Sequence, residues 1–596
     1  MRMPVLSIPG MPAYRYCHHH GATVSNVYRI GQESFMKPND RIFATPRRIK
    51  LRDGRDITIR LLEKTDGEGF VAFYGDIPPE DNVYYMGPNA TTPDRARARA
   101  EKADDPFQVC LVLADDEGGI HGEAWYSWND TDRKDKSMFG IAIRRTMQGV
   151  GAGRLIMSRL MEVGDGYGPA VMDLTAQIEN FRAWKLYTSL GFDIKRTQMR
   201  PARPDCPAMP EFYMERVMGR RLRAGAARRV VNPAGGTHLM GQLHLRPMQS
   251  VRDDLELNIV YLANRQTALC LVSIDNAACT DALNAALRDA VARETGVQPD
   301  MVFITSSHTH TGAEVCGLLH DSPPDANYLA LLERAAAEAA REALASVCPA
   351  LARSATGSAH IGFNRRLCWT DGTHSMYGDA KRKEFTGIEG PDDPTHTVLL
   401  VTDEERKPLA IVHNNCSHTT CVEGDVFASA DFPGEARRLI REALARTDLP
   451  VLYLQGASGD TSPWNMLKTP TRYAGETRLR EMGAALAAET LRLLRTITPV
   501  ADPVLRAEAS VPVMDVRLPS DTDLAAARKT KAEGEQAASR WKYVIDVDGV
   551  LRLWNEFHEN PKESVPLTAI RIGDLAIAAN PFELYCQFGL DIRRRS

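Results

Sequence analysis

The segment Met218–Thr237, MGRRLRAGAARRVVNPAGGT, separates two unlike halves of this chain. It is basic, rich in small residues and interrupted by proline and glycine, the composition of an interdomain linker. A chain of 596 residues is too long for one hydrophobic core, and no internal period relates its halves. Two different domains are therefore expected, at 49–218 and 237–596, joined by a linker at 219–236 and preceded by an extension at 1–48. The extension has no clear periodicity. Its triple histidine, His18 to His20, reads as a solvated loop or as a metal-binding tract.

Both halves alternate strand-like and helix-like patterns. IKLRDGRDITIRLL reads as a hairpin turning at Asp53-Gly54, and FQVCLVLAD and HGEAWYSW read as strands joined by DEGG. Farther on, the apolar runs TALCLVSID and VLYLQGAS alternate with amphipathic stretches such as PDANYLALLERAAAEAAREALASV. The expected class is α/β: a mixed sheet with flanking helices, then a larger layered α/β domain with mixed sheets. A net charge of −4 gives no field favouring nucleic acid or an anionic membrane. No apolar run reaches the roughly 18 residues of a membrane span, so no transmembrane segment is expected. The N-terminus lacks a signal-peptide core. Eleven cysteines, an odd number without CxxC spacing, suit reduced thiols in a cytoplasm. No pattern fixes an oligomeric state.

The informative run of the first half is GIAIRRTMQGVGAGRLIMSRLMEVG. A short strand ending at Ile143 leads into Gln148, Gly149, Gly151, Ala152 and Gly153, and a helix starts near Arg154. Glycines expose successive N–H groups, and a helix N-terminus adds unpaired donors and a positive dipole end, so the turn suits a diphosphate. A flexible helix start explains one such turn equally well. Neither the Walker lysine nor the GxGxxG spacing is present. About thirty residues later comes MDLTAQIENFRAWKLYTSLGF. Together the segments resemble the GNAT acyltransferase family: Gln148, Gly151 and Gly153 meet its glycine motif, and Asn180, Ala183, Leu186, Tyr187, Gly191 and Phe192 meet its second. The resemblance implies a sheet splayed between two parallel strands with acetyl-CoA in the gap. It implies that N–H groups from Gln148 to Arg154 hold the pyrophosphate, and that Tyr187 protonates the leaving thiolate of a reaction with a small-molecule amine. Many members carry a glutamate base where this chain has Met138; Glu123 reads as a substitute or as an exposed strand carboxylate.

The second half places ITSSHTHTG, with His308 and His310, at the end of an apolar run. On extended backbone, residues i and i+2 point the same way, roughly 6–7 Å apart, as a metal ligand and its neighbour would. Two hydrogen-bonded strand-end histidines are the plain alternative. His413, His418 and Asp431 in VHNNCSHTTCVEGDVFASADFPGEA, Asn364-Arg365 in IGFNRRL, and Asp460 and Ser462 in LQGASGDTSPWN add polar groups near other strand ends, where α/β sites form. In this order, with AIRIGDLAIAANPFELYCQFGLDIRRRS at the end, the segments from about Val230 onward resemble the hydrolase domain of neutral/alkaline ceramidases. That resemblance implies a Zn2+-dependent hydrolase of an N-acyl amide. His308, His418 and Glu583 would be metal ligands, His310 a proton shuttle, Arg365 an oxyanion stabiliser, and Ser462 a substrate hydrogen-bonder. The family's Pro-Gly-Glu reads Pro581-Phe582-Glu583 here, and a tyrosine-bearing segment that follows in the family is not found before Ser596. A truncated product, a three-ligand site and a degraded enzyme stay open, and a small N-acyl substrate is favoured over ceramide. The overall expectation is a bifunctional N-acyltransferase and zinc amidohydrolase. The alternative is an acetyltransferase with an inactive ceramidase-like binding module.

Overall fold

The structure, a computed structural model, describes residues 46–596 except 79–91, 130–135, 167, 203–206, 220, 243, 318–322, 470–473 and 535–542. The His18 to His20 tract lies outside the described residues. Two compact units are present, one ending at Arg221 and the other running from Leu222.

The first unit is an eight-stranded sheet in sequence order except at its far edge, where β8 precedes β7. Its strands are β1 (Arg47–Lys50), β2 (Asp56–Leu61), β3 (Gln108–Ala114), β4 (Ile120–Ser127), β5 (Lys136–Ile143), β6 (Val171–Gln177), β7 (Asp193–Arg200) and β8 (Met209–Val217). Helices α1 (Gly67–Gly75) and α2 (Pro93–Ala100) cover one face around Phe70, Phe73, Val112 and Trp125. Helices α3 (Ala152–Gly166) and α4 (Phe181–Ser189) cover the other around Ile156, Leu160, Leu174 and Met214. The strands buried on both faces read as continuous apolar runs, because alternation is visible only where one face meets water. Strands β5 and β6 are parallel and pair only from Lys136 to Met138, against Val171 to Asp173. Beyond Met138 and Asp173 they part, leaving Phe139–Ile143 and Leu174–Gln177 unpaired with each other.

The second unit is built on β9 (Arg223–Val230), β10 (Glu256–Ala263), β11 (Ala268–Ile274), β12 (Val302–Ser306), β13 (Cys348–Ser358), β14 (Thr395–Asp403), β15 (Pro408–Asn415) and β16 (Val451–Gln455). The order is β12-β11-β10-β9-β13-β14-β15-β16. The pairs β11–β12 and β15–β16 are parallel. The first is crossed over by α5 (Asp281–Thr295) and the second by α7 (Asp431–Ala443). α6 (Ala326–Ala345) joins α5 against β9 to β12, whereas α7 and α8 (Glu476–Leu494) cover β14 to β16. Val260, Leu269 and Leu271 meet Leu399, Val401, Val412 and Leu452 in a core between the two groups of strands.

The segment that reads as a linker is structured from its fifth residue. β9 pairs along its whole length with β10 and belongs to the middle of the sheet. Its charge misleads because Arg228 pairs with Glu256 at 3.1 Å and Arg229 with Glu342 at 2.7 Å. Its small residues Ala224 and Ala227 are buried.

Candidate active sites

In the first unit, the chain leaves β5 at Ile143, turns through Arg144–Gln148, and enters α3 at Ala152. Gly149 and Gly151 have φ of 81° and 95°, a region that L-residues rarely adopt. The turn is tied to the fold by Arg52, whose N–H donates to the Val150 carbonyl at 3.1 Å. The Gln148 side chain donates to the Ile143 carbonyl at 3.2 Å. Its own N–H is already bonded to the Arg145 carbonyl, at 3.1 Å, so Gln148 braces the loop and is not one of its open donors. From Gly149 to Arg154, including Ala152 and Gly153, the N–H groups have no acceptor among the described residues. A loop of free donors ending on a helix N-terminus is an anion cradle.

Tyr187 lies on α4, buried, its ring edge-on to Phe139 with centroids 5.4 Å apart. Burial pushes its phenol well above the ordinary tyrosine range, so it stays protonated at neutral pH. Phe139 is the first residue beyond the parting of β5 and β6, which puts Tyr187 beside the splay. Asn180 caps α4, its side chain accepting from the Ala183 N–H at 3.3 Å. Glu123 is not an exposed strand carboxylate. It is fully buried, bonded to the Tyr74 hydroxyl and paired with Arg99 at 3.4 Å. Period-2 alternation cannot report this, because both faces of β4 are covered.

Residues 76–192 match the sequence profile of the acetyltransferase (GNAT) family. The chain carries a GNAT domain. Among solved structures, the GNAT unit is similar to a GNAT-family acetyltransferase from Streptococcus pneumoniae, at 21% identity, 27% of this chain, 99% of that one and a TM-score of 0.25. It is similar also to yncA from Salmonella typhimurium, described with its cofactor acetyl-CoA, at 21% identity, 28% of this chain, 95% of that one and a TM-score of 0.25. Over a larger part, the chain is similar to neutral ceramidase from Pseudomonas aeruginosa, at 15% identity and a TM-score of 0.49. That likeness covers 63% of this chain and 64% of the ceramidase chain, so this chain spans less than two thirds of its length. No curated protein matches.

In the second unit three imidazoles meet. His308 follows β12, and His418 follows β15. Their Nε2 atoms are 3.0 Å apart, and the Nε2 of His310 lies 3.4 Å from that of His308. His308 and His310 do not converge by sharing a strand face. β12 ends at Ser306, and His308 has a φ of 63°. That left-handed turn folds the two rings toward each other, with centroids 5.0 Å apart. His413, by contrast, is buried against His396 and Tyr453, away from the cluster.

Hydrogen bonds fix two of the tautomers. The Nδ1 of His308 lies 2.7 Å from the Ala277 carbonyl, and that of His418 lies 3.0 Å from the Ser458 carbonyl. Carbonyls only accept, so each neutral ring carries its proton on Nδ1 and turns a bare Nε2 toward the other. Burial lowers the pKa of all three rings, that of His310 to about 4, so none is charged at pH 7. Two bare lone pairs facing each other at 3.0 Å repel unless a cation stands between them. Nitrogens bound to tetrahedral zinc sit roughly 3.3 Å apart, given Zn–N bonds of about 2.0–2.1 Å. The Glu583 carboxylate lies 3.6 Å from His308 Nε2, on the open side of the cluster. The donor set fits a divalent metal: His308, His310 and His418 with Glu583 beside them.

A second ring of residues holds these in place. Arg365 lies 3.5 Å from His418 Nδ1 and donates to the Gly459 carbonyl at 2.9 Å and to the Tyr377 hydroxyl at 3.0 Å. Its buried Nε has no hydrogen-bond partner among the described residues. Asp460 joins three segments: it accepts from Asn364 at 2.7 Å and from the Cys586 N–H at 2.8 Å, and its carbonyl accepts from the Arg365 N–H at 2.7 Å. Together with the Gly459 N–H, which donates to the Leu584 carbonyl at 2.9 Å, it anchors the strand-end loop against the Glu583 segment. The Ser462 hydroxyl caps its own turn, accepting from the Trp464 N–H at 2.9 Å.

Arg246, Asp253, Tyr377 and Glu423 have no signal in the sequence. Arg246 is buried and donates to the His310 carbonyl at 2.6 Å. Asp253 accepts from Ser429 at 2.6 Å, and the Ser429 carbonyl in turn receives Thr309 at 2.7 Å and Thr311 at 3.0 Å. Gly241 packs against His310 itself: with a φ of 104°, an added Cβ would lie 2.5 Å from the His310 side chain. Gly241→Ala is therefore expected to push His310 out of the cluster and, on the zinc-site reading proposed below, to weaken zinc affinity by about tenfold or more, as supporting residues around metal ligands do. Competition against a chelating dye measures it.

Proposed function

We propose that the chain is a bifunctional enzyme: an acetyl-CoA-dependent N-acyltransferase joined to a zinc-dependent hydrolase of small N-acyl amides. In the GNAT unit the free N–H groups from Gly149 to Arg154 bind the CoA pyrophosphate. The acyl thioester enters the gap between β5 and β6, and Tyr187 holds a proton for the departing thiolate. Replacing Tyr187 by phenylalanine is expected to lower kcat by roughly a hundredfold, the usual contribution of a positioned acid. KM for acetyl-CoA stays near that of the parent, since the cradle is untouched. Thiol release on a panel of primary amines reads both constants.

The hydrolase reading rests on one observation: neutral imidazole nitrogens whose outer positions are tied up and whose inner lone pairs converge. His308, His418, Glu583 and His310 would hold zinc, which when bound supplies Lewis acidity to a water and to an amide carbonyl. Arg365, held by the Gly459 carbonyl and the Tyr377 hydroxyl, lies beside His418 and keeps an Nε–H, without a partner among the described residues, for the oxygen that gains charge during attack. Glu583, the exposed carboxylate of the set, is the group a proton can reach from solvent.

The inactive-module reading draws support from Ser462, whose hydroxyl is engaged in its own turn. Zinc titration combined with hydrolysis of short N-acyl amides separates the readings. One tightly bound zinc per chain with zinc-dependent amine release supports the enzyme. Metal-free protein that still binds the amide supports the module.

A further inference from the structure

The third histidine of the cluster differs from the other two in what stands behind it. His308 and His418 each back onto a carbonyl. His310 backs onto a carboxylate: Glu423 Oε2 lies 3.6 Å from its Nδ1. The Nδ1 is buried and has no hydrogen-bond partner among the described residues. Glu423 is itself only 9% exposed. It sits on the loop after His418, beside Val422, whose N–H is held by Asp431 at 3.3 Å. Asp431 also accepts from the Phe432 N–H, at 2.6 Å, at the start of α7. The carboxylate is thus delivered to the back of the imidazole by a pinned loop.

A neutral imidazole has one proton and two places for it. With the proton on Nε2, His310 would donate toward His308 at 3.4 Å, and its Nδ1 lone pair would face the Glu423 oxygen. That arrangement sets a lone pair against a negative charge in a buried place. With the proton on Nδ1, the N–H faces the carboxylate and the Nε2 lone pair turns into the cluster. We propose that Glu423 is a positioning residue that selects this second tautomer and so makes His310 a third nitrogen ligand rather than a proton shuttle. The inference rests on the metal-site reading of the same cluster. The proton only changes ring nitrogens, so uptake of the ion by this ring releases none.

The test uses the full chain and zinc alone. Glu423→Ala removes the acceptor, and Glu423→Gln keeps a neutral acceptor at the same place. Zinc affinity is measured by dye competition, and the visible spectrum of the Co(II)-substituted protein reports the number of nitrogen ligands. Carboxylates behind metal-bound histidines are worth roughly 10–100-fold in affinity. The expected result is a loss of that size in Glu423→Ala, with a changed Co(II) spectrum, and a smaller loss with the parental spectrum in Glu423→Gln. Thermal unfolding of the metal-free variants checks that each folds, and Glu423→Gln carries the test if Glu423→Ala does not. Affinity and spectrum unchanged in both variants, while the parent binds zinc, would overturn this inference alone. A parent that binds no zinc overturns it together with the hydrolase reading.

Discussion

Replacing His418 with alanine is expected to abolish the proposed stoichiometric zinc binding and to lower the proposed amide hydrolysis by at least about a thousandfold, roughly 4 kcal/mol of transition-state stabilisation. The size follows from the chemistry asked of the site. An amide carbonyl and a neutral water react only if one is polarised and the other made acidic, and both effects are assigned to one ion. His418 is the best held of the proposed ligands. It is buried, its Nδ1 is bonded at 3.0 Å to Ser458, Arg365 lies against it, and its own N–H donates to Thr461 at 3.1 Å. Alanine removes one lone pair and leaves the facing His308 nitrogen without its partner. Acetyl transfer by the GNAT unit should not change, which distinguishes loss of the ion from global unfolding. A variant that keeps parental zinc content and parental hydrolysis would remove the basis of the proposed chemistry.

Why was part of this cluster readable in the chain and part not? His308, His310 and His418 stand just past apolar runs, and runs of that kind end where α/β folds gather their chemistry. Position therefore nominates them as candidates, but nominates His413 equally; the family resemblance is what picks out His308 and His418 as ligands. Arg365 is visible as a polar group near a strand end, but its role, and Glu583 altogether, come only from family resemblance, because neither sits in a local pattern that demands a metal or an anion. The supporting residues follow another logic. Arg246 reaches the His310 carbonyl across 64 positions, and Asp253 reaches Ser429 across 176. Contacts so distant in sequence leave no trace in local spacing. The left-handed turn at His308 is invisible for a related reason: histidine rarely adopts that conformation, and tertiary contacts impose it here.

The same reasoning explains why β9 reads as a linker and why Glu123 admits the exposed-carboxylate alternative. Arg228 and Arg229 make β9 look solvated, yet their partners Glu256, Glu338 and Glu342 arrive from a later strand and from α6. Glu123 looks like an exposed strand carboxylate, yet Arg99 and Tyr74 from α2 and α1 enclose it. In both cases the sequence shows the charge and conceals the partner.

Glu256 is where such a concealed partnership matters most for stability. It is a 4% exposed carboxylate on β10, held by Arg441 at 2.7 and 2.8 Å, by Arg437 at 3.4 Å and by Arg228 at 3.1 Å. Burial alone would raise its pKa, but Arg437, Arg441 and Arg228 outweigh it and hold the group at about 2. Arg437 also grips Asp275 at 2.7 Å, and Asp275 receives the Glu256 N–H at 2.9 Å. Two residues past Asp275 is Ala277, whose carbonyl orients His308. The buried ions are thus anchored two residues from the carbonyl that orients the proposed metal ligand. Glu256→Gln leaves the buried Arg441 guanidinium without its counter-charge and Arg437 with Asp275 alone, and is expected to cost about 3–5 kcal/mol of stability at pH 7. The pH dependence supplies the sign. An unfolded glutamate titrates near about 4.3, so the stabilisation from the depressed folded value is complete above that pH and is lost as pH falls toward about 2. The difference between parent and variant in denaturant unfolding should therefore be full at pH 7 and shrink through that acid window. A difference that stays constant from neutral pH to pH 2 would show that packing, rather than the carboxylate charge, holds α7 against the sheet.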